Sequence, residues 1–212
     1  MLDIIVAGLS ANSVPYTEGL ELQRAVHRSV VSGERPDTVI LLEHPAVYTA
    51  GKRTEPHERP SDGTAVIDVD RGGKITWHGP GQLVGYPILR LDEPVDVVGY
   101  VRRLEGLLIG VLAGFGIDGR RVAGRSGVWV GPVGLEDKIA AIGIRVAEGV
   151  TMHGFALNCS NSLAPYGRII ACGIADAGVT TMSVVLGRTV DTAELIEPLS
   201  NAFTSTSLEV AA

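Results

Sequence analysis

Apolar residues at Val97, Val98, Val101, Leu104, Leu107, Leu108, Val111, Leu112 and Phe115 recur three and four positions apart. That spacing predicts an amphipathic helix over 95–115 whose apolar stripe is core. Residues 17–32 read as an earlier helix, with Thr17 as N-cap, Glu18 in the first turn, and Gly33 followed by Pro36 as the stop. Elsewhere the pattern shortens to strand-like runs at 37–42, 65–69, 74–77, 82–89, 128–130, 138–146 and 150–157. Asp70 to Gly73 reads as a hairpin turn between 65–69 and 74–77, and Glu148-Gly149 as the turn between 138–146 and 150–157. Residues 53–64, rich in Pro and charge, are long enough for a lid or a disordered segment. Asp191 with Glu194 forms a capping-box pattern that opens a C-terminal helix, delayed or kinked by Pro198, and residues 204–212 are expected to fray. Strands outnumber helices without alternating regularly with them. The expected fold is α+β, one domain over 1–212, with mixed or antiparallel sheets flanked by helices.

A chain of 212 residues that is 45% hydrophobic can bury one substantial core, and no Pro/Ser-rich linker divides it. The first residues, Met1 to Val6, carry an acid where a signal peptide needs positive charge, and no apolar run reaches membrane-spanning length. A cytoplasmic protein is expected, with no membrane partner. Cys159 and Cys172 make no disulfide scaffold, and no Cys/His spacing suits a metal, so free thiols and no metal are expected. The net charge of −6 argues against nucleic acid. Residues 71–145 nevertheless carry 10 basic and 7 acidic side chains, the one net-positive block. It is either a docking surface for an acidic protein or solvated helix surface.

The run Arg71-Gly72-Gly73-Lys74-Ile75-Thr76-Trp77-His78-Gly79-Pro80-Gly81-Gln82 places glycines, a cation and an imidazole between two strand-like segments. Glycines permit positive φ and close backbone approach, and Arg71 and His78 supply donors for a carbonyl, carboxylate or phosphate. The same spacing suits an ordinary hairpin, and His78 and His153 are equally readable as structural donors. Cys172 stands in Ala-Cys-Gly-Ile, where an apolar run ends in a glycine-bearing turn, as nucleophile or as a buried thiol. Lys138 is one of only three lysines among 18 cationic side chains. At the head of an apolar strand it either activates a thiol or snorkels to water.

The Arg-Gly-Gly to Gly-Pro-Gly-Gln run with Tyr86 closely resembles the signature of the lipoyl(octanoyl) transferases, also called lipoate-protein ligase B. Lys138 to Gly143 with His153 to Asn158, and Ala171 to Ile174 with Asp176 to Thr180, extend the resemblance over most of 38–188. It implies the fold of the biotin and lipoate ligase catalytic domain. It implies an octanoyl or lipoyl thioester on Cys172, with Lys138 lowering that thiol's pKa and Cys159 merely packing. An acyl pocket is implied at Arg71, Gly72, Gly73, Lys74, Ile75, Thr76, Trp77 and His78, at Ala141, Ile142 and Gly143, and at His153, Gly154 and Phe155. Small residues would leave the channel and Phe155 would close one end. The implied partners are octanoyl-acyl carrier protein as donor and apo lipoyl domains as acceptors, with no cofactor. The alternatives are an ATP-dependent lipoate or biotin-type ligase and a non-catalytic acyl-binding homologue.

Overall fold

The computed structural model describes residues 2–170 and 177–205. Among the described residues ten strands form two sheets: β1 (Asp3–Gly8), β2 (Thr38–Leu42), β3 (Val47–Ala50), β4 (Val66–Asp68), β5 (Thr76–His78), β6 (Gln82–Ile88), β7 (Arg120–Val122), β8 (Arg125–Val130), β9 (Asp137–Ala147) and β10 (Val150–Asn158). The larger sheet has the order β1-β2-β6-β10-β9-β8-β7, antiparallel except for β1 alongside β2. The smaller has the order β4-β3-β5. The helices are α1 (Tyr16–Val31), α2 (Val97–Gly114), α3 (Met182–Leu186) and α4 (Ile196–Ser205). This is the expected mixed α+β architecture.

The central strands of the large sheet are apolar on both faces because both are covered. Val39, Leu41, Leu83 and Leu157 join α2 and α4 in one core, whereas Ile40, Leu42, Val84 and Ala156 pack with Val26 and Val30 of α1 in another. The α1 stripe is Gly19, Gln23, Val26, His27 and Val30, buried at helical spacing. That helix begins one residue earlier than expected, at Tyr16, with Pro15 rather than Thr17 in the capping place. Proline lacks the N–H that a helix start leaves unbonded, so it can stand there without a capping side chain. Gly33 ends the helix at φ +77°.

The turn at Glu148-Gly149 has positive φ at both residues, 53° and 71°, and fixes the β9–β10 register. Asp191 and Glu194 form their capping box on a short 3-10 turn, Thr192–Leu195. It hands over to α4 with Pro198 in the first turn. The helix continues through Ser205, so residues 204 and 205 are helical rather than frayed, and the remainder of the expected tail lies outside the described residues.

One expectation fails on the small sheet. Asp70 to Gly73 is not a hairpin turn, because β4 and β5 do not pair with each other. Both pair with β3, β4 in parallel and β5 antiparallel. The connecting loop instead binds β3 and the large sheet. Residues 53–64 are anchored at their centre by a 3-10 turn, Pro56–Glu58, with Glu58 buried against Lys74 Nζ at 2.5 Å.

Candidate active site

A cavity of ≈ 240 Å³ lies between the α1 face of the large sheet and the small sheet. Its floor crosses three strands. Val84 of β6, Ala156 of β10 and Ala141 of β9 stand in one row, and Tyr86, Gly154 and Gly143 in the next. Small side chains on β9 and β10 leave the space that larger ones would fill. Thr76 and His78 face it from β5, while Ile75 and Trp77 alternate away. Trp77 packs with Tyr48 and Tyr166 on the opposite side of the small sheet.

The glycine loop forms part of the cavity wall and is held shut by its own arginine. Arg71 donates from Nη1 to the carbonyls of Gly72 and Lys74, and from Nη2 to the carbonyl and hydroxyl of Thr49, at 2.9–3.0 Å. Gly72 N–H donates to Ile144 O at 2.8 Å, tying the loop to β9. Gly51 has to be glycine here, since a Cβ would lie 2.5 Å from Gly73 O. Arg71 therefore shapes the wall, and the donors expected to meet a ligand are engaged with protein oxygens.

His78 is likewise an organiser. Its Nδ1–H donates to Gln82 Oε1 at 2.8 Å, leaving Nε2 to accept from Thr49 Oγ1 at 3.3 Å. Burial, with His44 and Arg71 nearby, pushes its pKa down to about 3, so the ring is neutral. His44, to which the sequence assigns no role, donates to Val14 O and accepts the Tyr86 hydroxyl, each at 2.6 Å. Burial takes its pKa to about 4. Tyr86 and Tyr16 thus line the cavity from a cluster of aromatic and imidazole rings in which Tyr16 stacks on His78 and His44 lies tilted against both tyrosines.

His153 breaks the β10 pattern with φ +57°. Its backbone N–H donates to Gln23 Oε1 at 2.9 Å and its Nε2–H to Asp70 Oδ1 at 2.8 Å, which hold the unusual conformation. Burial lowers the imidazole pKa despite the carboxylate beside it. Burial pushes the Asp70 carboxyl up, but the His153 bond and the adjacent Arg145 guanidinium outweigh this and leave it below its ordinary value. Phe155 borders the cavity without closing it. Its ring lies against Gly85 and stacks on Phe203 of α4, on the other face of the sheet.

Lys138 stands at the opposite end of the β9 wall from Gly143, about 17 Å along the strand. It is buried, with Nζ 4.7 Å from the centre of the Trp129 ring. Gly127, at φ +102°, gives the side chain room, since it lies against Ala140 O and Lys138 Cε. Glu105 fixes that glycine by accepting its N–H at 2.9 Å. Lys138 N–H donates to Gly178 O, and its carbonyl accepts from Thr180 N–H, both at 3.0 Å. Cys172 and Asp176 lie outside the described residues. Cys159 is buried beneath the sheet, and burial pushes its thiol up to about 12, which makes it inert.

Residues 15–204 match the model of the lipoyl protein ligase A/B catalytic domain. The chain belongs to that family. An octanoyltransferase of Clavibacter sepedonicus is 68% identical over 92% of this chain and 87% of its own length. One of Renibacterium salmoninarum is 58% identical over 97% of this chain and 89% of its own. A bipartite lipoate protein ligase of Thermoplasma acidophilum, solved with its E2 lipoyl domain, superposes with TM-score 0.74 at 15% identity. It covers 99% of this chain and 85% of that one. A lipoate-protein ligase A bound with ATP gives TM-score 0.70 at 12% identity, covering 99% and 87%. These two likenesses establish the fold. Among the described residues no helix is long and apolar enough to cross a membrane.

Of the residues expected at this family's acyl pocket, Gly72, Ile75 and Trp77 do not line the cavity, the last two because they sit on the other face of β5 or in its approach. Tyr16, Val84, Tyr86 and Ala156 line it and are absent from the expected set. The alternation of 82–89 puts Val84 and Tyr86 on one face and could have found that pair. Nothing local marks Tyr16.

Proposed function

We propose that the chain transfers an octanoyl or lipoyl group from acyl carrier protein to a lysine of a lipoyl domain through a thioester on Cys172. One observation carries the reading. The cavity, floored by Ala and Gly, runs along β9 to a buried lysine, and the backbone of that lysine is hydrogen-bonded to the segment following Cys172, whose Gly178 stands six residues beyond it. The relatives named octanoyltransferase support the same reaction class.

An octanoyl chain in that cavity gains on the order of 5 kcal/mol from burial, enough to select by length. The Cys172 thiolate, stabilised by the Lys138 cation, attacks the thioester carbonyl. A new C–S bond forms, the bond to the pantetheine sulfur breaks, and the departing thiolate takes a proton from Lys138. The acceptor lysine amine then attacks the acyl-enzyme, an amide forms, the Cys172 thiolate leaves, and the amine's proton passes to Lys138 or water. Thioester to amide is downhill, so the reaction needs no ATP.

Intact-protein mass spectrometry with octanoyl-acyl carrier protein, in the absence of ATP, tests this. Wild-type protein should gain one octanoyl group, discharged by an apo lipoyl domain, and Cys172→Ala should gain none. Transfer that requires ATP and free octanoate would replace the reading with an adenylating ligase. Octanoyl binding without transfer would replace it with an acyl-binding protein.

A further inference from the structure

The cavity walls carry charge of one sign. Five lining side chains are basic, Arg53, Arg71, Lys74, Arg125 and Lys138, and none of those described is acidic, in a chain whose net charge is −6. Three of the five have evident employment. Arg71 serves the glycine loop, Lys74 meets Glu58, and Lys138 faces Trp129. Arg125 lies over the same Trp129 ring, 5.6 Å from its centre. Arg53 differs from all of them. It is exposed yet borders the cavity, which places it at the mouth, and its side chain makes no hydrogen bond or ion pair with the described residues. Lys52, its neighbour, is also exposed and also makes none.

The backbone beneath these two side chains is fixed. Lys52 N–H donates to Arg71 O and Arg53 N–H to Gly73 O, each at 3.1 Å. The turn thus presents Arg53 at the mouth of the cavity with Lys52 exposed next to it in sequence, neither paired with a described residue. An acyl chain has no use for them, because its only polar group is the carbonyl at the reacting end. The charge must serve something attached beyond that carbonyl.

We propose that Arg53, assisted by Lys52, binds the phosphate of a pantetheine arm, so that the mouth of the cavity recognises acyl donors by an anion outside the acyl group. The inference rests on the transferase reading above. A guanidinium pairs with phosphate through parallel N–H donors, which a lysine cannot reproduce. Such a contact anchors the donor at two points, the apolar chain inside and the phosphate outside, and so positions the thioester between them.

The test compares two soluble donors that differ by one group, octanoyl-pantetheine and octanoyl-4′-phosphopantetheine, with an apo lipoyl domain as acceptor and octanoyl-acyl carrier protein in parallel. Wild-type protein should use the phosphorylated donor with kcat/KM higher by about tenfold or more, as one charge-assisted contact gives. In Arg53→Gln that ratio should fall toward one, mainly through KM, and Arg53→Lys should keep part of it. Arg28→Gln, a charge loss on α1 away from the cavity, should leave the ratio at the wild-type value. Octanoyl-coenzyme A carries a phosphate at the same position of the arm, within a diphosphate, and separates the two sources of such an arm. Slower use than octanoyl-acyl carrier protein assigns the arm to the carrier, and faster use assigns it to the free thioester. Equal use of the two small donors, or a ratio that survives in Arg53→Gln, overturns the subsite while transfer from the carrier keeps the transferase. Failure of transfer from every donor overturns both.

Discussion

On the large sheet, Val39 and Leu41 turn toward α2 while Ile40 and Leu42 turn toward α1, and every one is fully buried. On the cavity side of the small sheet the buried Thr49 and His78 are polar instead, joined to each other and to Arg71 and Gln82. The first region is stabilised by removing apolar surface from water, a non-directional effect that tolerates adjustment. The second depends on specific donor–acceptor pairs, and breaking one leaves a buried orphan that costs about 1–3 kcal/mol. The site lies between the two. The apolar sheet supplies its floor and the polar one its wall, so a change in either should reach function in a different way.

Arg71→Met should break the polar region most severely. It keeps the length of the side chain but removes donors from four oxygens, two of them on buried Thr49. A loss of about 5 kcal/mol is expected, near the top of the range for a buried charged group with several partners. Urea unfolding would measure it, and transfer should be lost even in protein that remains folded. A loss under about 1 kcal/mol, the size of one ordinary hydrogen bond, would mean that the loop does not depend on this network.

Acid should be the next largest effect, and it too acts on the polar side. The ordinary histidine value is 6.5, and the folded values are about 4 for His44 and about 3 for His78. The unfolded chain therefore binds these protons first. Stability is present in full above pH 6.5 and falls as pH drops below it, continuing until the folded rings titrate. Each histidine contributes a slope of about 1.4 kcal/mol per pH unit, so at pH 5 the two together cost about 4 kcal/mol. Unfolding curves at pH 7 and pH 5 would show it. Imidazole NMR signals that titrate near 6.5 in the folded protein would rule it out.

Leu108→Ala probes the apolar side. Leu108 is fully buried in the core beneath α2, so a cavity there should cost about 3 kcal/mol. Transfer per folded molecule should be unchanged, because that core lies on the face away from the site. A loss of transfer larger than the loss of folded protein would show that the floor's geometry depends on α2 packing.

The same division explains which parts of the molecule are legible in its amino-acid order. Periodicity locates α2, β6 and the β9–β10 hairpin within two residues at most boundaries, since burial on a defined face leaves a repeating trace. The small sheet leaves none. Its order depends on Arg71 reaching back to Thr49, 22 residues earlier, and no local rule ties β4 and β5 to β3 rather than to each other. Strand β1 escapes notice because residues 2–6, at the very start of the chain, draw attention as a targeting question and not as a strand. At the site, Lys138, Ala141 and Gly143 are legible through resemblance. Arg53 is not, since an exposed arginine in a loop looks like any other until the cavity beside it is seen.

The mildest change tests whether the two regions are joined by charge or by geometry. Asp70, next to the glycine loop, accepts from His153 of β10 and pairs with Arg145 of β9, so one carboxylate links the loop to the large sheet. Asp70→Asn keeps an oxygen for His153 Nε2–H and removes the charge that favours Arg145. Because this pair is partly exposed, the expected loss is about 1 kcal/mol, shrinking as salt is added. The neutral amide should also lower the His153 pKa further, since the carboxylate is what now raises it against burial. An NMR titration of His153 in the two proteins would resolve that shift. If the loss is instead several kcal/mol and insensitive to salt, the link is geometric, and the left-handed conformation of His153 depends on an anion at that position.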